Sequence, residues 1–383
     1  MAATAAREVI LILHNRYRAA GGEERAVADL AALLARRGHE VEVLERSSQG
    51  LGRRQAARGM IAGGVAPEQI GELVRRRGVR VVHAHNIHPL FGWRALAAAQ
   101  SAGARTVLHL HNFRLFCAIG IAYRDGDTCF RCRRGRTLPG LRLRCRGSLT
   151  EAAVYAAALR RQQPQLLEHV DQFVAVSDAL ATHLRDLGLP ASLTATLPNF
   201  IPKTELASDS RAEAGEFVLA AGRLSEEKGF DTAIAAARAA GAPLVIAGAG
   251  PDEPRLRALA AGAEVRFAGR LERDALSELR RRAAVVLAPS RWEEPCPYSV
   301  LEAMAAGVPV LASDRGGLPE LVGEESVVAA GDETLWGARL AKLWQSSRLR
   351  AERGAQALER ARERFGENHY YEKLMGLYGH RST

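Results

Sequence analysis

The chain is short of lysine in one half, of aromatic residues and of long apolar runs. Residues 1–200 contain 28 arginines, no lysine and only 16 acidic residues, whereas residues 201–383 contain 25 basic and 27 acidic residues. The net charge of +10 therefore comes from the first half. This imbalance favours a partner that carries phosphate groups, such as an anionic membrane, a lipid-linked diphosphate or a nucleic acid. A solvated arginine-rich surface is the alternative.

No stretch approaches the roughly 20 consecutive apolar residues of a membrane span. The N-terminal stretch MAATAAREVILILHN places an acidic residue before a short apolar run, which indicates a first strand and not a signal peptide. The sequence therefore predicts a cytoplasmic protein. Its 383 residues, 47% hydrophobic and 25% charged, are typical of a globular protein with two domains.

Short β-branched runs alternate with helical patterns in both halves of the chain. The predicted strands are EVILILH, VEVLE, VRVVHAH, TVLHLH and QFVAVS in the first half, and EFVLAAG, PLVIAGAG, AEVRFAG, AAVVLAPS, VPVLAS and SVVAAG in the second. This alternation predicts two doubly wound, Rossmann-like α/β domains over 1–200 and 201–365, joined by an aperiodic linker. A last helix over 366–383 is expected to pack back on the first domain. Ligands are expected beyond the carboxyl ends of the strands, in a cleft between the domains.

The stretch EEPCPYSVLEAMAAG combines a proline-rich loop with a helix start. Its two prolines prevent a helix from running through the loop. Ser299 is then a good N-cap for a helix that ends at Gly307. The first turn of such a helix is a ready anion site. Glu294 in the loop and Glu302 in the predicted first turn could both reach one ligand. The alternative for Glu302 is a capping box with Ser299, which serves only helix stability.

Two further segments could bind phosphate groups. Arg223 and Lys228 follow a strand in the turn GRLSEEKG, where two fixed cations would grip a diphosphate and stabilise its charge as it leaves. Gly21 and Gly22 precede a helix and would let backbone N–H groups approach a phosphate. The alternatives are solvated surface side chains for the first segment and a plain glycine turn for the second.

Histidines gather at or near the ends of two predicted strands. In a cleft, an imidazole can hydrogen-bond a sugar hydroxyl or move a proton, whereas an ordinary strand-end histidine is simply satisfied by its neighbours. We expect His109 and His111 of HLHN to point the same way because strand side chains alternate. The histidines in these positions are His83, His85, His88, His109 and His111.

Residues 113–148 interrupt the strand–helix rhythm and form a cysteine-rich insertion. A loop of this length is usually functional or disordered. Its spacing C-x11-C-x2-C-x12-C fits a structural zinc site in a reducing compartment, and free thiols or one disulfide are the alternatives. The pair Asp125 and Asp127 could hold a divalent metal, but DGD is more typical of a turn. The four cysteines are Cys117, Cys129, Cys132 and Cys145.

Together these motifs resemble the retaining glycosyltransferases of family 4, which have the GT-B fold. The resemblance is carried by the E-x7-E motif from Glu294 to Glu302, which runs into LEAMAAGVPVLAS and GGLPELV. The stretches GRLSEEKG, HLHNFR, VAVSDAL and LPNFIP agree with the family in order, so the resemblance covers nearly the whole chain.

The resemblance implies transfer of a hexose from an NDP-sugar, UDP- or GDP-linked, to a glycan, lipid-linked or small-molecule acceptor. It implies that the donor binds mainly to the second domain and that Arg223 and Lys228 hold its diphosphate, so no catalytic metal is needed. The backbone N–H groups around Tyr298 and Ser299 would complete the phosphate site. The expected setting is cell-surface polysaccharide biosynthesis, with the protein peripheral on the inner face of the membrane.

The resemblance also assigns roles to single side chains. Glu302 would accept hydrogen bonds from the ribose hydroxyls, and Glu294 would contact the donor sugar. In the first domain, Gly22 with Gly21 would touch the diphosphate, and His111 would face the transferred sugar. Retention of configuration would follow from same-face attack assisted by the leaving phosphate.

Two other functions are alternatives to this one. The first is a sugar phosphorylase of the same fold, which needs a cofactor-bearing lysine, or the related nucleotide-sugar epimerase. Of the few lysines in the second half, only Lys228 is well placed. A nucleic-acid-binding module would interleave aromatic and basic residues. Aromatic residues make up only 5% of the chain and the arginines are scattered among predicted helices, so no nucleic-acid partner is expected.

Overall fold

The computed structural model describes residues 7–17 and 21–379, which fall into two compact units. The first unit comprises the described residues up to Ala122, Cys129–Pro198 and the residues from Tyr371 onward. The second comprises Tyr123–Thr128 and Asn199–Tyr370. The N-terminal six residues, residues 18–20 of the predicted glycine turn and the last four residues of the predicted C-terminal helix lie outside the described residues.

The first unit is built on a six-stranded parallel sheet. Its strands are β1 (Val9–Arg16), β2 (Glu40–Ser47), β3 (Val81–Ala84), β4 (Arg105–Leu110), β7 (Gln172–Ala175) and β8 (Thr194–Thr196). Between β4 and β7 the chain forms a short hairpin of β5 (Tyr123–Arg124) and β6 (Asp127–Thr128). Their order across the sheet is β2-β1-β3-β4-β7-β8. The hairpin strands pair only with each other and group with the second unit.

Helices connect these strands. They are α1 (Gly22–Arg36), α2 (Arg53–Ala62), α3 (Pro67–Arg77), α4 (Gly92–Ser101), α5 (Leu138–Arg142), α6 (Leu149–His169) and α7 (Asp178–Leu187). Helix α7 starts where Ser177 accepts a hydrogen bond from the Leu180 amide, an ordinary N-cap. The middle of β1 is fully buried, which explains its unbroken apolar run, because helices cover both faces of a parallel sheet.

The second unit repeats this plan with β9 (Phe217–Ala221), β10 (Leu244–Ala247), β11 (Val265–Gly269), β12 (Ala283–Ala288), β13 (Val310–Ser313) and β14 (Val327–Val328). All pairs are parallel and the order is β11-β10-β9-β12-β13-β14. Its helices are α8 (Phe230–Ala240), α9 (Glu253–Leu259), α10 (Arg273–Arg281), α11 (Tyr298–Ala305), α12 (Leu318–Val322), α13 (Glu333–Trp344) and α14 (Ser347–Phe365). Trp336 of α13 is fully buried in the core of this unit. The last helix, α15 (Glu367–Leu377), has its first four residues in this unit and the rest in the first.

Each sheet has one point where the direction of strand addition reverses. In the second sheet it lies between β9 and β12, and in the first between β1 and β3. In open α/β sheets, ligands bind at this switch point, beyond the carboxyl ends of the two strands. The segments that follow these four strands are therefore the places to look for a site.

Every strand predicted for the two sheets forms, and β8 is an additional strand that the sequence did not indicate. The DGD segment is confirmed as a turn: Asp125 and Gly126 connect β5 to β6 with φ angles of 55° and 82°. The prediction of two parallel-sheet α/β domains is thus confirmed. Within the described residues, no helix is both long and apolar enough to cross a bilayer.

Candidate active site

The switch point of the second sheet brings together a lysine and a glutamate. Glu294 follows β12 and is 5% exposed, and Lys228 follows β9. The Lys228 Nζ donates to both carboxylate oxygens of Glu294, at 2.8 and 2.7 Å. Ser290 Oγ and Trp292 Nε1 each donate to Glu294 Oε2 at 2.8 Å. These hydrogen bonds hold the carboxylate in one orientation beside a cation.

Two glycines allow the loops of this site to approach each other closely. Gly229 has a φ of 68°, and a Cβ there would lie 2.1 Å from the Pro289 carbonyl oxygen. Gly316 has a φ of 57°, and a Cβ there would lie 2.4 Å from the carbonyl oxygen of Glu294. Gly317 N donates to that same oxygen at 2.8 Å. Only glycine fits either position, which explains Gly229 of GRLSEEKG and Gly316 of GGLPELV.

Arg223 lies in the same connection between β9 and α8 as Lys228. Its guanidinium donates to Glu227 Oε1 at 2.5 Å and to Ser225 Oγ at 3.3 Å, and its side chain is 59% exposed. Burial alone would raise the pKa of Glu227, but hydrogen bonds from Ser225 and Arg223 and the charge of Arg223 lower it. Glu227 thus anchors the stem of an arginine whose head remains accessible to an anion.

The predicted start of the helix after Glu294 is wrong by two positions. Helix α11 begins at Tyr298 with Pro297 as its N-cap, and no side chain caps it. Ser299 is therefore not the N-cap, Glu302 lies beyond the first turn, and the capping-box alternative for Glu302 is excluded. Proline favours this boundary because its fixed φ suits the entry to a helix. The helix ends at Ala305, two residues before Gly307.

Glu302 is instead paired with an arginine that sequence reasoning missed. Arg280 of α10 donates to Glu302 Oε2, and the two side chains are 6% and 12% exposed. Tyr298 and Ser299 are the first two residues of α11, where backbone N–H groups have no partner within the helix. The start of α11 and Glu302 thus lie on the helix that follows Glu294, and Arg280 reaches Glu302 from α10.

In the first unit, the ends of β3 and β4 carry a cluster of buried histidines. His83 Nε2 lies 3.2 Å from His109 Nδ1, and His85 Nδ1 lies 2.9 Å from His111 Nε2. The His109 and His111 rings stack 4.7 Å apart, so they point the same way as predicted. His83 Nδ1 also forms a hydrogen bond with the Tyr378 hydroxyl at 2.7 Å. Burial lowers the pKa of all four imidazoles, to about 4 for His109, so they are neutral near pH 7.

A cavity of about 30 Å³ opens beside these histidines. It is also lined by Glu23, whose carboxylate accepts hydrogen bonds from the Tyr17 hydroxyl at 2.8 Å and Asn112 Nδ2 at 3.4 Å. Burial raises the pKa of Glu23. Sequence reasoning missed Glu23 and Tyr17, although an acidic residue directly after the glycine pair was a usable signal. Sequence reasoning did place His111 at this strand end, and it lines the same cavity.

The glycine pair lies at the start of α1. Gly22 is the first residue of the helix, and both glycines are exposed. The Gly21 amide donates to Glu24 Oε2 at 2.7 Å, and the Tyr17 amide donates to Glu24 Oε1 at 3.0 Å. Glu24 therefore already satisfies the Gly21 N–H that was expected to approach a phosphate.

The four cysteines of the insertion are half-buried. Burial raises the pKa of the Cys117 thiol, and burial also raises the pKa of Cys132 to about 11. Across residues 7–17 and 21–379, the one group of three or more metal-ligating side chains whose ligand atoms all lie within 4.8 Å of one another is His83, His85 and His109. The cysteine sulfurs are not drawn together to that extent, so zinc binding stays a prediction.

Both halves of the chain match known protein families. Residues 20–205 match the family described as Glycosyltransferase Family 4, and residues 203–360 match Glycosyl transferases group 1. A putative colanic acid biosynthesis glycosyltransferase, WcaL, of Salmonella typhimurium is 30% identical over 223 residues, which are 53% of this chain and 54% of the relative. A D-inositol 3-phosphate glycosyltransferase of Stackebrandtia nassauensis is 35% identical over 247 residues, 55% of each chain. The chain thus spans about half the length of these curated relatives.

The fold has counterparts among solved structures. The crystal structure of HepE from Anabaena in complex with UDP superposes with a TM-score of 0.66 at 18% identity, covering 97% of this chain and 99% of that one. At this identity the likeness concerns the fold alone. The chain therefore has the GT-B fold of two parallel-sheet α/β domains, and each of its halves matches a glycosyltransferase domain family.

Proposed function

We propose that the chain is a retaining glycosyltransferase of family 4 that moves a sugar from an NDP-sugar to a glycan, lipid-linked or small-molecule acceptor. The observation that carries the proposal is the Lys228–Glu294 pair at the switch point of the second sheet, with Arg223 in the same connection. The matched family models and the UDP in the HepE structure support a nucleotide donor.

The donor diphosphate binds at the two cations of this connection. Arg223 has an exposed head and an anchored stem, so its planar guanidinium can form two hydrogen bonds to phosphate oxygens. Lys228 supplies a point charge beside Glu294. Positive charge at this place stabilises the diphosphate as the glycosidic bond breaks, which is the role that a divalent metal has in other enzymes. The reaction therefore proceeds without a catalytic metal.

The rest of the donor is recognised by α11 and the loop before it. Glu294 accepts hydrogen bonds from hydroxyls of the donor sugar, and its fixed orientation makes this contact selective. Glu302 accepts from the ribose hydroxyls, and Arg280 fixes the Glu302 carboxylate for that contact. The amides of Tyr298 and Ser299 face the phosphates, because N–H groups at a helix start attract anions.

In the first unit, we assign the contact with the transferred sugar to His111. Its imidazole is neutral because burial and the neighbouring histidines lower its pKa, so one ring nitrogen donates and the other accepts. His85 holds one of these nitrogens, which orients the ring. No protein nucleophile is needed if the acceptor attacks on the face that the diphosphate leaves and the leaving phosphate takes the proton.

A panel of UDP-, GDP- and dTDP-sugars tests the proposal by thermal shift and by release of the nucleoside diphosphate. We expect one donor to stabilise the wild-type protein. The change Arg223→Gln should weaken binding of that donor roughly 10- to 150-fold, because one charged hydrogen bond contributes about 1.5–3 kcal/mol. The matched control is Arg257→Gln, an exposed arginine of α9 paired with Glu253. If no donor shifts the wild-type melting temperature, or if Arg223→Gln binds like the control, the proposal is wrong.

A further inference from the structure

Residues 131–149 of the first unit form a strongly basic surface segment. They contain seven arginines, no acidic residue and no aromatic residue. Six of the arginines are exposed: Arg131, Arg133, Arg134, Arg136, Arg142 and Arg144. We call this segment the arginine face. It includes α5 and the residues up to the start of α6.

The six exposed arginines carry no compensating charge. None of them lies within 4 Å of a carboxylate in the part of the chain that the structure describes, whereas exposed arginines of the second unit are commonly paired, as Arg255 is with Asp231 and Asp252. Helix α2, which packs on α6, adds the exposed Arg54 and Arg58. A run of unpaired positive charges of this density repels itself, and a negatively charged partner would relieve that repulsion.

The same region also exposes the chain's most accessible large apolar side chains. Among the described residues these are Leu149 at 55% exposure, Leu138 at 50%, Val65 at 47% and Ile61 at 45%. Leu138 starts α5, Leu149 starts α6, and the other two lie at and just beyond the end of α2. Helices α2 and α5 both pack against α6, so basic and apolar side chains belong to one contiguous group of helices.

We propose that the arginine face, with these four apolar side chains, docks on an anionic lipid bilayer. Guanidinium groups pair with lipid phosphates at the surface, and short apolar tips enter the boundary between headgroups and acyl chains. A nucleic acid would satisfy the arginines equally well. It gives no role to exposed leucines, however, and residues 131–149 offer no aromatic ring on which bases could stack. The bilayer therefore accounts for both observations.

This docking is independent of the proposed chemistry, because it uses no residue of the candidate active site. The test is co-sedimentation of the full chain with vesicles of phosphatidylcholine that contain either no anionic lipid or about 30% phosphatidylglycerol. We expect binding to the anionic vesicles only, weakened at least about tenfold when salt rises from about 0.05 to about 0.5 M.

Two variants separate the charged and apolar contributions. Arg136→Gln combined with Arg142→Gln and Arg144→Gln should weaken binding to anionic vesicles roughly tenfold or more, since each basic residue adds several-fold affinity. Leu138→Ser combined with Leu149→Ser should weaken it several-fold while leaving the salt dependence. The control replaces two exposed, unpaired arginines of the second unit, Arg339→Gln with Arg348→Gln, and should bind like wild type. All variants are at exposed positions, so their melting temperatures should match wild type.

Three outcomes would overturn the proposal. The first is wild-type protein that does not sediment with anionic vesicles. The second is a triple arginine variant that binds as well as the control variant. The third is a protein that does not bind vesicles but binds a short duplex DNA or RNA tightly, with this binding lost in the arginine variant and unchanged in the leucine variant. That result would assign the arginine face to nucleic acid.

Discussion

The Lys228–Glu294 pair makes a quantitative prediction about stability. Glu294→Gln keeps the side-chain shape, but its amide NH2 replaces an oxygen that accepts from Lys228, so one charge-assisted hydrogen bond is lost. Such a bond contributes about 1.5–3 kcal/mol. Because a domain of this size loses about 2–4 °C of melting temperature per kcal/mol, we expect a decrease of roughly 3–12 °C.

A double-mutant cycle isolates the pair from its surroundings. Lys228→Met leaves Glu294 with Ser290 and Trp292 as its side-chain donors among the described residues, which should cost at most about 3–5 kcal/mol because the carboxylate is buried. Lys228→Met combined with Glu294→Gln should be less destabilised than the sum of the single changes by roughly 1.5–3 kcal/mol.

Differential scanning calorimetry of the full chain measures all four proteins. The matched control is Glu253→Gln, which breaks the exposed pair with Arg257 on α9 and should cost only about 0.3–0.5 kcal/mol. Strictly additive effects of Lys228→Met and Glu294→Gln would refute the reasoning, because they would mean that the two side chains do not depend on each other.

Three further expectations follow from the geometry. Gly316→Ala should destabilise the protein and weaken donor binding in titration calorimetry, because the new Cβ would lie 2.4 Å from the Glu294 carbonyl oxygen. The control is Gly262→Ala, where φ is also positive but no atom lies within 4 Å of the new Cβ, so it should cost only the backbone strain of about 1–3 kcal/mol. Equal effects of the two changes would contradict this account. Burial holds the pKa of His88 at about 3 and of His109 at about 4, below the unfolded value. The free energy of unfolding, measured with denaturant, should therefore fall as pH drops below about 6.5, by roughly 1.4 kcal/mol per pH unit for each such histidine. Equal stability at pH 7.5 and 5.5 would contradict this expectation. If the insertion cysteines bind zinc, protein purified without added metal should contain about one zinc, lost in Cys129→Ser with Cys132→Ser, and a ratio near zero would exclude the site.

Local patterns were sufficient to predict all strands of the two sheets except β8. Short runs rich in β-branched and apolar residues placed the strands that were predicted for both sheets. The run in β1 is unbroken because the middle of that strand is buried on both faces. The positions of Lys228 and Glu294 at strand ends also followed from the sequence, because the carboxyl ends of neighbouring parallel strands meet at one edge. That their side chains would bond each other required the strand order.

Contacts between distant segments could not be predicted in the same way. The partner of Glu302 is Arg280, on the preceding helix, and no periodicity connects the two positions. The Ser299–Glu302 spacing instead suggested a capping box, because the pattern fits locally while Pro297 already ends the loop. Similarly, the hydrogen bond between Tyr378 and His83 joins residues 295 positions apart. Tertiary packing decided each of these cases.

The central claim is that the second unit holds a nucleoside diphosphate on the β9–α8 connection and the start of α11. A crystal structure of the full chain with bound UDP or GDP tests it most directly. Our account predicts phosphate oxygens within hydrogen-bond distance of Arg223 and Lys228, and ribose hydroxyls on Glu302. A nucleotide bound away from these three side chains would contradict it.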